Sequence, residues 1–185
     1  RTQTVVKIIL SVYVGMTAVT AVALKLGGMC WFDAICHAMS ACGTCGFSTK
    51  NASIAYFNSG LIEWILAVAM ILMGIHFGLI YATITGKHNN MFRSEITRFY
   101  FSIIIVASIF ITFSLWFADV YPTILISLRN ALFHTASFIT TTGFATADCN
   151  TWTSFAILIL LFCSMVCACA GTFVGAAETA EDPSD

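Results

Sequence analysis

Four apolar runs, at positions 5–26, 61–84, 99–117 and 152–171, set the rhythm of the chain. Each is near the roughly 20 residues that a helix needs to cross a hydrocarbon core of about 30 Å. The segments between paired runs, 27–60 and 118–151, are long and only half polar. Each contains a weakly amphipathic stretch, 29–41 and 122–139. At 1.5 Å per residue such a stretch covers only about half the core, the length expected of a re-entrant helix. Pro122 suits the first turn of the second stretch, and Asp33 suits the N-terminal turn of the first.

The polar segments are copies of each other. Positions 32–49 align without gaps on 129–146, sharing Ala-x-x-His-x-x-Ser-x-x-x-Thr-x-Gly-Phe-x-Thr at an offset of 97 residues. Duplication of a hairpin plus polar loop is how membrane proteins build a pore. The expected fold is an all-α membrane protein of two helix–pore-loop–helix repeats, with four transmembrane helices and two re-entrant pore helices. The expected divisions are a first repeat at 1–84, a cytoplasmic linker at 85–98, a second repeat at 99–172 and an acidic tail at 173–185.

Composition agrees with a membrane environment. The chain is 59% hydrophobic and 9% charged, with mean hydropathy +0.91, whereas soluble chains are about one quarter charged. The first run is too long for a signal-peptide core and has no small-residue cleavage site after it. Arg1 is not an initiator Met, which marks the sequence as a fragment or incomplete gene product. The net charge of −1 hides a basic body: Glu178, Glu181, Asp182 and Asp185 lie in the last eight residues, and without them five acids face eight bases. Lys87, Arg93 and Arg98 against Glu95 place the linker in the cytoplasm, with Arg1 and Lys7 on the same side. Both motif copies then lie on the outer side, where Trp31, Trp64, Trp116 and Trp152 read as interfacial aromatics and Glu63 as an interfacial acid. Lys25 is the exception, and its stem can snorkel. Nothing in this balance implies a nucleic-acid partner.

The chemistry of the motif is that of cation selection. A helix re-entering from outside aims its C-terminal carbonyls, the negative end of its dipole, at the bilayer centre. The following loop presents carbonyl oxygens that replace water around a dehydrated cation. Gly46 and Gly143 permit the tight backbone, Phe47 and Phe144 wedge the loops against surrounding helices, and neither Thr-x-Gly-Phe segment holds a carboxylate. His37 and His134 read as orienting the short helices by hydrogen bonding. His76, bracketed by Gly74 and Gly78, reads as a neutral histidine at a close helix contact.

These residues resemble the TrkH potassium-uptake proteins of the Trk/Ktr/HKT superfamily. Positions 32–59 look like the family's second pore loop and 133–146 like its third, and the similarity runs through about 172 of the 185 positions. The resemblance implies four helix–pore-loop–helix repeats around one pore, of which this chain holds the middle two. It assigns the carbonyls of Thr44, Cys45, Gly46, Thr141, Thr142 and Gly143 as filter ligands for potassium, with Phe47, Phe144, His37 and His134 as support. Ala170, Gly171 and Thr172 resemble the start of an intramembrane gate loop, which the family continues with glycines and a Lys that are missing here. Further implications are a bacterial inner-membrane, multi-pass location, a homodimer of pore chains and a cytoplasmic ring of nucleotide-binding regulatory subunits. No enzymatic step and no covalent cofactor are expected.

Two other readings compete. Cys36, His37, Cys42 and Cys45 offer a redox or metal-binding cluster, but the second copy has Phe133, Ile139 and Thr142 in place of the three cysteines. Departure from the family after Thr172 suggests a truncated, non-conducting product, since two loops cannot enclose a four-sided filter.

Overall fold

The computed structural model describes residues 2–75 and 95–165. Six α-helices appear among them: α1 Thr2–Leu26, α2 Trp31–Cys42, α3 Gly60–Met73, α4 Glu95–Phe117, α5 Ile124–Ile139 and α6 Ser154–Met165. Short 3-10 turns at Ser53–Phe57 and Cys149–Thr151 precede α3 and α6. His76, Gly78, Lys87, Arg93, the gate-loop residues Ala170, Gly171 and Thr172, and the acidic tail lie outside the described residues.

The described helices differ in length, and the parts of α3 and α6 that are described, 14 and 12 residues, are no longer than α2 and α5. α4, with 23 residues, is about 35 Å long. Its segment Thr97–Phe117 is the one helix among the described residues long and apolar enough to cross a membrane, and a third of it is buried. α2 and α5, with 12 and 16 residues, reach only about 18 and 24 Å. Pro122 does not enter the first turn of α5. Thr123 is the N-cap in extended conformation and Ile124 the first helical residue, so Pro122 stiffens the approach instead.

Each repeat builds its own core. In the first, Ala34, Ala38 and Ala41 line one face of α2 and pack with Leu24 of α1 and Leu66 and Met70 of α3. The small alanines at spacings of four and three let helix backbones approach closely. In the second, Ile111 and Leu115 of α4 enclose Ala131 of α5 with Trp152, Ala156 and Leu160. The opposite faces remain bare: Ile105, Ile109 and Phe113 of α4 and Leu158 and Leu161 of α6 are exposed. A continuous apolar surface of this kind requires an apolar surrounding.

Among the described residues, three of the contacts between the two repeats position the site. Phe133, Ala136 and Phe144 of the second enter the core of the first. The hydroxyl of Tyr100 on α4 donates to the Ile71 carbonyl near the end of α3 at 3.2 Å. A Cβ on Gly74 would collide with that hydroxyl, so the close packing expected around this glycine is present at Gly74 itself. The third contact is an ion pair. Glu63, read from the sequence as an interfacial acid, is 6% exposed, its Oε2 lying 2.8 Å from Nε of Arg129 on α5. A carboxylate at that depth demands a counter-charge, and a side chain on Gly60 would overlap the guanidinium that supplies it.

Trp152 differs from the other three tryptophans in its burial. Trp31, Trp64 and Trp116 are exposed, and Lys25 lies over the Trp31 ring at 5.7 Å. Trp152 instead is buried, donating from Nε1 to the Tyr121 hydroxyl at 3.2 Å. An indole taken inward needs such a partner for its N–H.

Removing Arg129 strands a buried carboxylate. Arg129→Met is expected to destabilise the detergent-solubilised chain by about 3 kcal/mol, and Glu63→Gln in the same chain is expected to recover part of that loss. Thermal unfolding of the two variants measures both effects.

Candidate functional site

Both motif copies end their helix in the same way. At the end of α2 the amide of Thr44 bonds to the Ala41 carbonyl and that of Cys45 to the Ser40 carbonyl, at 3.3 and 2.9 Å. At the end of α5 the amides of Thr141 and Thr142 bond to the carbonyls of Phe138 and Ser137, at 3.1 and 2.9 Å. This is a Schellman cap, and its left-handed residue is usually glycine. Here it is threonine, Thr44 at φ +49° and Thr141 at φ +55°. A β-branched residue is costly in that region, yet both copies keep one there. Two residues on, Gly46 and Gly143 are left-handed again, at φ +71° and +85°.

The loops meet. A Cβ on Gly46 would overlap the carbonyl oxygen of Thr142 and crowd the carbonyl carbon of Gly143. Only the missing side chain allows the first loop's backbone to lie directly against the second's. Gly143 has open space where its own Cβ would be, so its need for glycine is conformational.

The histidines tie helix to loop. Both are fully buried. Nδ1 of His37 is 2.7 Å from the Asp33 carbonyl oxygen, and Nδ1 of His134 is 2.9 Å from that of Asn130. A carbonyl only accepts, so Nδ1 carries the proton. Nε2 of His37 then accepts the Ser48 hydroxyl at 2.8 Å, and Ser48 Oγ accepts the Lys50 amide at 3.1 Å. In the second copy Ala145 replaces Ser48, and the His134 ring rests against Trp152 at 4.7 Å.

The two phenylalanines differ in the described residues. Phe144 is 1% exposed and sits 5.9 Å from the His37 ring, which Phe57 meets edge-on from another side. The Ser137 hydroxyl donates to the Phe144 carbonyl at 2.8 Å. Phe47 is 80% exposed among the described residues. Phe144 enters a pocket supplied by the other repeat, and no described element offers Phe47 a matching one. The corresponding hydroxyl of Ser40 lacks a partner among the described residues.

Sequence reasoning missed a latch common to both copies. The Thr49 hydroxyl donates to Oδ1 of Asp33 at 2.6 Å, and the Thr146 hydroxyl to Oδ1 of Asn130 at 3.1 Å. Each bond closes the returning strand onto the early turns of its short helix. The signal was available, because Thr49 and Thr146 are the last shared positions of the repeat. In the first copy Cys30 also donates to Asp33 Oδ2, and Lys50 Nζ lies 3.6 Å from it. The Thr49 hydrogen bond, with those of Cys30 and Lys50 and the lysine charge, holds the Asp33 carboxyl below the ordinary range against the opposing effect of burial.

The Cys36, His37, Cys42 and Cys45 cluster does not assemble. Cys42 is buried and Cys45 exposed, and both His37 nitrogens are engaged. No group of three metal-ligating side chains occurs among the described residues.

Comparison with known proteins places this geometry. The family described as TrkH, cation transport protein, matches residues 1–178. The chain belongs to the TrkH family. Its fold is the TrkH transporter fold, and the family is one of transport proteins, not enzymes. The potassium uptake protein TrkH of Salmonella typhimurium is 33% identical over 89% of the chain. TrkG of Escherichia coli K12 is 34% identical over 83%. The crystal structure of the potassium transporter TrkH from Vibrio parahaemolyticus superposes with a TM-score of 0.81, at 31% identity, over 85% of the chain. The chain spans about a third of the length of these relatives: 34% of the Salmonella TrkH, 32% of TrkG and 34% of the Vibrio chain.

The two glycines predict unequal costs. Gly143→Ala, strained only in its backbone, is expected to lose about 1 kcal/mol. Gly46→Ala adds a backbone collision and is expected to lose at least about 2 kcal/mol more. Thermal melts of the purified variants compare them. Acid tests the latch. Because the folded Asp33 carboxyl titrates below its unfolded value of about 3.9, its contribution is complete above that pH and is lost as pH falls through the folded value. The protection of the Lys50 amide relative to its intrinsic exchange rate is expected to fall only below about pH 4, with no such step in Asp33→Asn.

Proposed function

We propose that this chain supplies two adjacent loops of a potassium-selective filter in a Trk-type uptake protein. The observation that carries this reading is the contact between the loops: the backbone of Gly46 lies directly on the Thr142 carbonyl. Two loops in matching conformation, each following a short helix and touching at their glycines, are what a pore built from repeats requires.

The backbone supports carbonyl coordination. In an extended strand successive carbonyls point to opposite sides. Left-handed residues at 44 and 46 and again at 141 and 143, with ordinary backbone between, alternate the hand of the chain and turn successive polar groups toward one side. The proposed ligands are the carbonyls of Thr44, Cys45, Gly46, Thr141, Thr142 and Gly143. The C-terminal ends of α2 and α5 lead into the two loops, so their dipoles add negative potential there. Carbonyl dipoles without a full charge suit a monovalent cation such as potassium, which is cargo here and passes without enzymatic chemistry.

The finer context rests on the family. The exposed apolar faces of α1, α4 and α6 support a lipid-embedded, multi-pass chain in the bacterial inner membrane, with both loops facing outward. The relatives' TrkH and TrkG names carry potassium uptake as the activity. Two loops form half of a four-sided ring, which the remaining repeats of the family fold complete. The divisions at 1–84, 85–98 and 99–172, a gate beginning at Ala170, Gly171 and Thr172, a homodimer of pore chains and a cytoplasmic nucleotide-binding ring belong to the same proposal.

The test replaces the matched third of the Escherichia coli TrkH with this chain in cells lacking other potassium uptake. Growth on low potassium should be restored. Gly143→Ser, which collides with nothing, should cut uptake about tenfold or more, equivalent to about 1.4 kcal/mol in barrier height, or abolish preference over sodium. Unchanged uptake and preference would remove these loops from the filter.

A further inference from the structure

The two copies of the latch differ in charge in a coordinated way. Where the first has Asp33 and Lys50, the second has Asn130 and Ala147 at the aligned positions. At these two positions one latch therefore carries an acid and a base and the other neither, with Arg129 and Asp148 adjacent to the second and engaged by Glu63 and by Asn150. The threonine bond is common to both, from Thr49 in the first and Thr146 in the second. A charge is thus unnecessary for closing the return strand, since Asn130 does so without one.

What the carboxylate adds concerns Lys50. This lysine lies four residues beyond Gly46, on the strand that returns to the outer side in the proposed topology. Its ammonium is 3.6 Å from Asp33 Oδ2 and stands over the Tyr56 ring at 5.0 Å. Asp33 is 7% exposed, and both its oxygens are engaged, Oδ1 by Thr49 and Oδ2 by Cys30 and Lys50. The carboxylate is therefore fixed, and the aromatic face restrains the ammonium from another direction.

We propose that Asp33 is a positioning residue of the first loop, closing the return strand through Thr49 while holding the Lys50 ammonium against itself and Tyr56, so that no uncompensated positive charge stands at the entrance for the incoming cation. The proposal rests on the reading that these loops conduct potassium. It explains why acid and base appear together in one copy and are both missing from the other. An unpaired lysine at the entrance would repel cations, and an unpaired aspartate would lose its partner for no gain in closure.

The test uses the Escherichia coli TrkH carrying this chain. Asp33→Asn keeps an acceptor for Thr49 but frees the lysine charge, and is expected to lower potassium uptake about threefold at low ionic strength, with the deficit shrinking as salt screens the charge. Asp33→Asn with Lys50→Ala reproduces the second copy and is expected to restore uptake. A double variant as impaired as the single one, or a single variant that transports normally, overturns the proposal. The Gly143→Ser measurement keeps the two ideas apart, since normal uptake there defeats the filter reading instead. A second measurement needs no transport. In the purified chain in lipid nanodiscs, with Cys30→Ser and Cys36→Ser, the exposed Cys45 thiol reports local potential through its reaction with a cationic methanethiosulfonate relative to a neutral one. That ratio is expected to fall about twofold in Asp33→Asn, the effect of one unit charge at about 10 Å in water, and to recover in the double variant. An unchanged ratio overturns the proposal.

Discussion

The close approach of Gly46 to the Thr142 carbonyl is the constraint on which the rest of this structure depends. Two loop backbones can touch only where no Cβ intervenes, and they can touch in register only if each leaves its helix in the same direction. The duplicated Schellman caps supply that direction, at the cost of a left-handed threonine in each copy. The buried histidines, the Thr–Asp and Thr–Asn latches and the hydroxyl of Ser137 then hold the strained segments in place. Strained backbone persists only where its surroundings over-determine it, and here the same supports occur in both copies with different degrees of completeness.

Packing between the repeats works in one direction. The second repeat pushes Phe144 into a pocket formed by His37, Phe57 and the first repeat's core, and sends Arg129 to meet Glu63. The first repeat offers Phe47 and Phe32 at the matching positions, and both are exposed. An interface made of unlike surfaces propagates around a ring. The inequality of Phe47 and Phe144 is therefore a property of neighbours rather than of the motif.

Much was legible in the residues. The apolar runs and the length of the short stretches located the helices, because period and length reflect backbone geometry directly. The glycines of Thr-x-Gly-Phe located one left-handed position in each copy, because few residues other than glycine tolerate it, whereas the left-handed threonines of the caps carried no such signal. The comparison of copies set the cysteines aside, since the second copy lacks them. The residues alone did not show how the polar groups are partnered: Glu63 and Trp152 each meet a partner distant in sequence, Arg129 and Tyr121, that offsets the cost of burial. Pro122 was read into the first turn of α5 but lies before its N-cap. Phe144 is buried and Phe47 exposed because the motif is symmetric and the described surroundings are not.

The sequence by itself determined the all-helical class and the doubled glycine turns, which follow from local periodicity, length and conformational preference, and its motif residues carried the resemblance to the TrkH family. Only the tertiary structure decided which glycine faces the other loop, which phenylalanine is buried and which charges pair. Those outcomes depend on atoms brought together from distant positions, Glu63 with Arg129, Gly46 with Thr142 and His37 with Phe144, and no local preference encodes what arrives from that distance.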